Sequence, residues 1–264
     1  MLIDGKTIAA EILEEVRQSV VVLGRSPRMS AIACAPNFET RKYLEMKRKR
    51  AEAIGITIEI IELSEDVTLE AAIARVTEAA VLSDGVVVQL PFPTHIDREA
   101  LLRAVPVNKD PDGFQYGETV GACFSPVIGA IDEISKRHEL SWQKKHVVIL
   151  GEGILVGKPA AVYARENGAD VTVLTRETYD SARLQLADII VSGIGHPHFI
   201  KPKYVKAGVV IFDAGTSEDG GVLVGDVDPS VAEKATLFTP VPGGIGPITI
   251  AYLLRNLVTL ATAK

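Results

Sequence analysis

The stretch Val147-Val148-Ile149-Leu150-Gly151-Glu152-Gly153-Ile154-Leu155-Val156-Gly157-Lys158-Pro159 decides the fold of the second half of the chain. Residues 147–150 predict a strand, and residues from about 159 to 167 predict a helix. A Gly-x-Gly-x-x-x-Gly turn between such elements is typical of phosphate binding, because exposed amides and the helix dipole attract negative charge. The pattern predicts a dinucleotide site; an ordinary strand–helix turn is the alternative.

Single residues in this region have separate predicted roles. Gly151 permits a sharp turn, and Gly153 allows the backbone to approach a pyrophosphate. The following strand, residues 171–175, ends beside Arg176, and a basic residue there suits the additional phosphate of NADP better than NAD. Arg176 as a solvated surface arginine is the alternative. The candidate cofactor residues of this segment are Gly151, Gly153, Val156, Gly157, Thr175 and Arg176.

Apolar strands alternate with helices on both sides of this stretch, which predicts parallel sheets covered on both faces. The predicted strands are residues 29–35, 57–63, 85–90, 147–150, 171–175, 189–192 and 209–212. The predicted helices are residues 8–23, 39–54, 69–82, 128–137, 159–167 and 247–262. We predict an α/β protein of two domains: a three-layer α/β domain from residues 1–128 and 247–264, and a Rossmann-like domain with a parallel sheet from residues 129–246.

Composition and charge exclude several classes of protein. The chain has 264 residues and a net charge of −6, which argues against a general nucleic-acid surface. The two cysteines, Cys34 and Cys123, predict reduced thiols rather than a disulfide framework or zinc site, and we expect no metal. We recognise neither a signal peptide nor about 20 uninterrupted apolar residues, so we expect a cytoplasmic protein without a membrane span.

Two irregular segments are candidate functional loops. Residues 106–121 are rich in Asp, Gly and Pro, and a long loop inside a compact domain is often functional. The segment Thr239-Pro240-Val241-Pro242-Gly243-Gly244-Ile245-Gly246-Pro247-Ile248-Thr249 has too many prolines and glycines for a regular element. It predicts a specifically folded loop that enters the last helix at Pro247, either as a rigid connector or packed against a ligand.

The motifs together resemble those of the bifunctional methylenetetrahydrofolate dehydrogenase/cyclohydrolases, in order and along nearly the whole chain. The matching segments are Tyr43-Leu-Glu-Met-Lys47-Arg-Lys49, Val88-Gln89-Leu90-Pro91-Phe92-Pro93, Lys109-Asp110-Pro111-Asp112-Gly113-Phe114, Val156-Gly157-Lys158-Pro159, Gly225-Asp226-Val227-Asp228 and residues 239–249. The last of these is the most specific.

The resemblance implies two reactions on tetrahydrofolate one-carbon derivatives, in a pathway that serves purine biosynthesis. First, 5,10-methylenetetrahydrofolate is oxidised to 5,10-methenyltetrahydrofolate with NADP, with NAD as the alternative cofactor. The methenyl product is then hydrolysed to 10-formyltetrahydrofolate. The resemblance also implies a homodimer formed through the dinucleotide domain.

The same resemblance implies four catalytic residues: Lys47, Tyr43, Gln89 and Asp112. Tyr43 and Lys47 are four residues apart, so they share a helix face, where the ring can stack on a pterin and the amine can assist proton transfer. Gln89 can orient Lys47, and Asp112 can accept bonds from the amino-pyrimidine edge. Lys47 as one more cation on a basic helix is the alternative.

Further binding residues follow from the matching segments. Those implied to bind substrate are Tyr43, Gln89, Leu90, Pro91, Asp112, Pro242, Gly243 and Gly244. Those implied to add to the cofactor site are Gly193, Gly195, Pro197 and Thr216. His196 and His198 stand in the same segment, but no further metal ligands follow at useful spacing.

The chain also departs from the family pattern. Glu152-Gly153 stand where the family usually has Arg-Ser, so an acidic residue opposes NADP at this position. Phe124-Ser125-Pro126-Val127, Gln115, Tyr116 and Thr40 also differ from the usual residues. Two alternative functions therefore stand beside the bifunctional enzyme: a dehydrogenase without the cyclohydrolase activity, and a folate- or nucleotide-binding protein without catalysis.

Overall fold

The computed structural model describes residues 1–263 and divides into two compact units. The N-terminal unit contains Ala10–Ser125 and the chain from Ile250 onward. The C-terminal unit contains Met1–Ala9 and Pro126–Thr249. Two helices, α1 (Gly5–Leu23) and α8 (Ile245–Thr262), contribute residues to both units.

The N-terminal unit is built on a three-stranded parallel sheet. Its elements are β1 (Arg28–Cys34), α2 (Phe38–Glu52), β2 (Thr57–Leu63), α3 (Leu69–Leu82), β3 (Gly85–Gln89) and α4 (Arg98–Arg103). The strand order is β2-β1-β3. The central strand β1 is buried at every position after Arg28, as expected for a strand covered on both faces. This confirms the parallel sheet predicted from continuous apolar runs.

The C-terminal unit is built on a five-stranded parallel sheet. Its elements are α5 (Pro126–Arg137), β4 (His146–Leu150), α6 (Gly157–Glu166), β5 (Asp170–Leu174), α7 (Ser181–Leu186), β6 (Ile189–Ser192), β7 (Val210–Asp213), β8 (Ser217–Asp219), β9 (Val222–Val224) and β10 (Leu237–Phe238). The parallel order is β10-β7-β6-β4-β5, and β8 and β9 form a separate antiparallel hairpin.

This strand order creates a switch point beside β4. The chain passes from β4 to β5 on one side of the sheet and then returns to β6 on the other side of β4. In open parallel sheets, a crevice opens at such a point beyond the carboxyl ends of the strands, and ligands bind there. The loops after β4 and β6 therefore lie at the edge where a dinucleotide site is expected.

The first nine residues group with the C-terminal unit, whereas the sequence prediction placed them in the first domain. The Met1 ammonium donates to the Thr236 carbonyl at 2.8 Å, and the Phe238 amide donates to the Met1 carbonyl at 2.9 Å. The Ile3 amide in turn donates to the Phe238 carbonyl at 2.9 Å. The N-terminal segment thus runs beside β10, a pairing that bridges more than 230 residues of sequence and leaves no local signal.

Element boundaries differ from the prediction mainly where elements are short. The six-residue helices α4 and α7, the β8–β9 hairpin and the two-residue strand β10 were not predicted, because none is long enough to show a clear hydrophobic period. Helix α8 begins at Ile245, two residues before the predicted start at Pro247. Proline is compatible with the first turn of a helix, so Pro247 does not mark the boundary.

Helix α8 has the length and apolar composition of a membrane-spanning helix, but 67% of it is buried inside the protein. A core helix passes the same test of length and hydropathy. Its side chains Leu254 and Leu257 are completely buried. Packing within the protein therefore accounts for its apolar character.

Candidate active site and dinucleotide site

Lys47 lies in a buried polar cluster at the N-terminal half of the chain. It stands on α2 and is only 8% exposed, and the neighbouring core residue Leu44 is 1% exposed. The Lys47 Nζ donates a hydrogen bond to Gln89 Oε1 at 3.0 Å and lies 4.6 Å from the centre of the Tyr43 ring. Lys47 is therefore not part of a solvated basic face.

The other cations of α2 differ from Lys47. Arg48 forms a salt bridge with Glu45 at 2.9 Å, and Arg41 pairs with Glu62. Lys42 is exposed. The basic face of α2 is therefore mostly exposed to solvent, and salt bridges neutralise part of its charge. Lys47 is the cation of this helix whose side chain is buried.

Gln89 presents its amide oxygen to Lys47 because its amide nitrogen is used elsewhere. Gln89 is the last residue of β3, and its Nε2 donates to the Leu90 carbonyl at 2.9 Å. With the nitrogen engaged, the oxygen is the atom that faces the Lys47 amine. The end of a parallel strand thus holds the lysine in one orientation.

Asp110 folds the adjacent loop rather than facing outward. Its carboxylate is 1% exposed and accepts the Gly113 and Phe114 amides at 2.9 and 2.8 Å. Burial, with the nearby charge of Asp112, raises the pKa of Asp110 to about 7, although the backbone hydrogen bonds oppose the shift. Gly113 adopts a φ of +61°, and a Cβ there would lie 2.5 Å from the Cys123 carbonyl oxygen.

Asp112 belongs to the same cluster as Lys47. Burial raises the pKa of the Asp112 carboxyl, and the positive charge of Lys47 counteracts this rise. A carboxyl, an amine, an amide oxygen and an exposed aromatic ring thus converge at the carboxyl edge of the small sheet. Such a set can bind a flat heterocycle and move a proton beside it.

Asn256 fixes the loop that carries Asp112, and sequence reasoning missed it. Its Nδ2 donates to the carbonyls of Pro111 and Phe124, each at 2.9 Å, and so joins the two ends of the loop. The Phe124 ring meets the Tyr116 ring edge-on, with 5.1 Å between centroids. The unusual residues Tyr116 and Phe124 therefore pack against each other.

The glycine-rich turn after β4 is shaped by close backbone contacts. Gly151 has a φ of +83°, and its amide donates to the Leu174 carbonyl at 2.8 Å. A Cβ on Gly157 would lie 2.1 Å from the Gly151 oxygen, so this position requires glycine. A Cβ on Gly153 would meet nothing within 4 Å. The space beside Gly153 is open, and helix α6 begins directly after the turn.

The start of α6 is suited to an anion. Its N-cap residue is Val156, whose side chain cannot accept a hydrogen bond from the first amides of the helix. The Lys158 amide donates to the Gly153 carbonyl at 3.1 Å and Pro159 has no amide hydrogen, so the helix dipole and the open space at Gly153 are the features that favour a phosphate there. The residues present fit the pyrophosphate of a dinucleotide.

The loop after β6 closes the other side of this crevice. Gly193 packs against Val156, where a Cβ would lie 2.7 Å from the valine side chain. Ile194 approaches Gly151, to within 3.0 Å of where a Cβ on the glycine would lie. The two loops on either side of the switch point are therefore in direct contact.

The end of β5 carries charges of both signs, one of which the sequence analysis missed. The Thr175 hydroxyl donates to Glu177 Oε2 at 2.6 Å. That hydrogen bond lowers the pKa of Glu177, and the charge of Arg176 lowers it further. Because the Gly151 amide binds the carbonyl of the residue before Thr175, Glu152 also stands beside this strand end. Arg176 is exposed and directly precedes Glu177 in the chain.

The sequence of the chain matches two family models. Residues 3–112 match the tetrahydrofolate dehydrogenase/cyclohydrolase catalytic domain, and residues 126–264 match the NAD(P)-binding domain of the same family. The chain belongs to the tetrahydrofolate dehydrogenase/cyclohydrolase family.

Relatives and solved structures of this family agree over the full length. A bifunctional protein FolD from Halothermothrix orenii is 38% identical over 273 residues, covering 97% of this chain and 96% of the relative. A crystal structure of the bifunctional enzyme FolD, methylenetetrahydrofolate dehydrogenase/cyclohydrolase, from Campylobacter jejuni has a TM-score of 0.94 at 32% identity, covering 100% and 99% of the two chains.

A second structure, from Trypanosoma brucei, is a methylenetetrahydrofolate dehydrogenase-cyclohydrolase complexed with NADP and an inhibitor. It has a TM-score of 0.91 at 32% identity and covers 100% of this chain and 97% of its own.

The structure gathers the residues predicted for this family into two groups. Tyr43, Lys47, Gln89 and Asp112 lie together in the N-terminal unit, with Leu90 and Pro91 directly after β3. The predicted cofactor residues all follow the carboxyl ends of β4 to β7 in the C-terminal unit; they are Gly151, Gly153, Val156, Gly157, Thr175, Arg176, Gly193, Gly195, Pro197 and Thr216. Their roles stay predictions.

The predicted substrate residues Pro242, Gly243 and Gly244 belong to the C-terminal unit. The Gly243 carbonyl accepts the Gly5 amide at 2.8 Å, and a Cβ on Gly5 would lie 1.8 Å from the Gly244 oxygen. The predicted specific folding of this loop therefore depends on a glycine near the N-terminus, which sequence reasoning did not single out.

Substitutions of Gly157 and Gly153 give a test that separates the stability of the fold from ligand binding. We expect Gly157→Ala to destabilise the protein by about 1–3 kcal/mol, because its Cβ would collide with backbone. We expect Gly153→Ala to leave the melting temperature unchanged but to weaken NADP binding about tenfold, by filling the space left for the pyrophosphate. Thermal unfolding and NADPH fluorescence titration measure the two effects. An alanine at 153 that binds NADPH like wild type would refute the predicted pyrophosphate position.

Among residues 1–263, no group of three or more His, Cys, Asp and Glu side chains is arranged to hold a metal ion. His196 and His198 lie in the loop after β6, and the His196 ring packs edge-on against Phe199 at 5.2 Å.

Proposed function

We propose that the protein oxidises 5,10-methylenetetrahydrofolate to 5,10-methenyltetrahydrofolate with NADP and then hydrolyses the product to 10-formyltetrahydrofolate. The observation that carries the proposal is the buried Lys47 amine, held by Gln89 Oε1 at 3.0 Å and placed over the Tyr43 ring. Membership of the tetrahydrofolate dehydrogenase/cyclohydrolase family and the full-length agreement with bifunctional relatives support it.

The N-terminal unit would bind the folate. Tyr43 is 36% exposed, so its ring face is available to stack on the pterin or aminobenzoate ring. Asp112 would accept hydrogen bonds from the amino-pyrimidine edge, with Leu90 and Pro91 lining the pterin side. The resemblance also implies substrate contacts for Pro242, Gly243 and Gly244 of the C-terminal unit. The contacts of Tyr43 and Asp112 hold the one-carbon bridge near the Lys47 amine.

In the hydrolytic step, water adds to the methenyl carbon and loses a proton; the bond from that carbon to N5 then breaks as the new hydroxyl loses its proton to form the formyl C=O and N5 takes up a proton. Lys47 assists the loss of the proton from the attacking water, and Gln89 keeps the amine in position through its fixed amide oxygen. Tyr43 limits the motion of both the amine and the substrate ring. The burial of Lys47 excludes bulk water from the amine itself.

The C-terminal unit would bind the dinucleotide. When bound, NADP accepts the hydride in the oxidative step, which needs no protein acid or base. Gly151, Gly153 and the first turn of α6 would hold the pyrophosphate, and Arg176 would take the additional phosphate of NADP. The Trypanosoma brucei relative was crystallised with NADP. NAD is the alternative, which Glu152 and Glu177 favour.

Three broader features belong to the same proposal. We expect a homodimer formed through the C-terminal unit, a cytoplasmic location and a contribution to purine biosynthesis through one-carbon supply. We expect no nucleic-acid or membrane partner. The net charge of −6 is consistent with a small-molecule enzyme.

One assay separates this function from its alternatives. Methylenetetrahydrofolate is offered with NADP or NAD, and reduced cofactor and methenyl-folate are followed at separate wavelengths. The bifunctional enzyme produces reduced cofactor while methenyl-folate fails to accumulate. A dehydrogenase alone accumulates methenyl-folate, and a binding protein gives neither signal. The buried Lys47–Gln89 pair argues against a dehydrogenase without cyclohydrolase activity.

A further inference from the structure

Asp226 is a completely buried carboxylate that accepts hydrogen bonds from the end of β6 and from the loop that follows it. Its Oδ2 accepts the Ser192 hydroxyl at 2.7 Å and the Ile194 amide at 2.8 Å. Its Oδ1 accepts the His196 amide at 2.8 Å. The residue is 0% exposed. Three donors at alternate positions, from the last residue of β6 into the loop after it, thus converge on a single side chain.

The protein provides a built cradle for this carboxylate. A Cβ on Gly215 would lie 2.3 Å from Asp226 Oδ1, so no larger residue fits there. Asp213 Oδ1 accepts the Gly215 and Asp226 amides, at 2.9 and 3.2 Å. A Cβ on Gly225 would lie 2.1 Å from Asp213 Oδ2. Both the backbone and the side chain of Asp226 are therefore fixed.

The loop that Asp226 holds also contacts the dinucleotide turn. Gly193 packs on Val156 and Ile194 on Gly151, on the side of the crevice opposite β5. Between the three hydrogen-bonded positions, Gly195 has a φ of +65°, and a Cβ there would meet only the Ser217 hydroxyl, at 3.9 Å, so this backbone is open to a ligand. The loop is thus held from one side and presents glycine backbone on the other.

The position of the loop indicates which half of the cofactor it would meet. The pyrophosphate is expected at the start of α6, and the adenosine ribose at the end of β5 near Arg176. The nicotinamide half then extends to the other side of β4, which is the side of β6. A loop at this place controls the position of the ring that reacts.

We propose that Asp226 is a positioning residue that holds the loop 193–197 in the shape required by the nicotinamide half of the cofactor. The proposal rests on the proposed dehydrogenase function. Burial of a carboxylate is unfavourable unless it is fully hydrogen-bonded, and the three donors compensate for it. An amide at this position cannot accept from all three donors, because its nitrogen is itself a donor. The loop would therefore lose its fixed shape without losing its packing.

The test compares Asp226→Asn with Asp228→Asn. Asp228 stands two residues later and is held by the Ser230 amide at 2.9 Å and the Ser230 hydroxyl, so it provides a matched loss of one negative charge. We expect Asp226→Asn to raise the KM for NADP and the dissociation constant for NADPH about tenfold. Hydrolysis of methenyl-folate uses no dinucleotide and should stay within about twofold of wild type. Asp228→Asn should leave all three values unchanged.

Three results would overturn the proposal. The first is unchanged NADPH binding in Asp226→Asn, and the second is an equal effect of Asp228→Asn. The third is a parallel fall of dehydrogenase and cyclohydrolase activity together with the melting temperature, which indicates a merely structural role. If Asp226→Asn does not fold, Ser192→Ala removes one of the three donors. We expect this variant to raise the dissociation constant for NADPH about threefold and to leave the rate of methenyl-folate hydrolysis unchanged. Unchanged NADPH binding in Ser192→Ala also overturns the proposal.

Failure of the proposed function has a different signature. Wild-type protein that binds NADPH but oxidises no methylene-folate contradicts the dehydrogenase assignment. The binding titration of the Asp226 variants still decides the role of the loop in that case.

Discussion

Replacement of Lys47 by methionine is expected to lower the rate of methenyl-folate hydrolysis by about 10²- to 10⁴-fold, the usual contribution of a positioned general base. Methionine keeps the approximate length of the side chain but removes the amine that Gln89 Oε1 binds. Hydride transfer does not need this proton step, so dehydrogenase activity should fall less. The measurement follows methenyl-folate decay and NADPH appearance separately in variant and wild type.

A matched control for this variant is Lys42→Met. Lys42 is on the same helix but is exposed, whereas Lys47 is 8% exposed. Lys42→Met should retain both activities and a wild-type melting temperature. If Lys47→Met hydrolyses methenyl-folate at the wild-type rate, the amine has no part in the reaction, and the cluster around it serves only to bind the ring.

Arg176→Ala is expected to lower the preference for NADP over NAD by about 10- to 100-fold. A guanidinium can bind a phosphate through two parallel charge-assisted hydrogen bonds, and at an exposed site a total loss of about 1.4–2.8 kcal/mol corresponds to this 10- to 100-fold change. Arg176 is exposed at the end of β5, where the additional phosphate of NADP is expected. The measurement is kcat/KM with each cofactor, for wild type and variant. A wild-type preference for NAD, or an unchanged ratio in the variant, would show that Arg176 does not bind the phosphate.

Glu177 makes this second test more informative. Its carboxylate is held by the Thr175 hydroxyl at 2.6 Å and stands beside Arg176. An acidic group there repels a phosphate and can accept the ribose hydroxyls of NAD. Glu177→Gln should therefore shift the preference toward NADP, opposite to Arg176→Ala. Arg165→Ala, an exposed arginine on α6, is the control and should leave the ratio unchanged.

The features that sequence reasoning predicted well are those encoded by neighbouring residues. Strands β1 and β3 are buried on both faces, so their apolar runs are continuous and visible. The turn from Gly151 to Gly157 needs glycine for reasons that act within seven residues. The pairing of Tyr43 with Lys47 follows from one turn of helix.

The residues that sequence reasoning missed act over long separations. Asn256 joins the ends of the loop that carries Asp112, and Gly5 fixes the loop around Gly243. Asp226 stands in one of the matching segments, but its role was not predicted, because the donors that it binds lie 30 to 34 residues earlier in the chain. In each case one polar side chain or one glycine contacts a segment that is distant in sequence. The packing of sheets and helices brings the two together, and no periodic pattern in the sequence indicates the contact.

The sequence by itself therefore determined the α/β class, the alternation of the elements and the place of the dinucleotide turn, because these depend on local periodicity and turn geometry. Only the tertiary structure decided that Lys47 is buried while its neighbours on α2 are solvated, since all six cations read alike in the chain. It also decided that the first nine residues pack with the C-terminal unit. Burial and long-range hydrogen bonding are properties of the packed chain, and they distinguish Lys47 from the other lysines and arginines of α2.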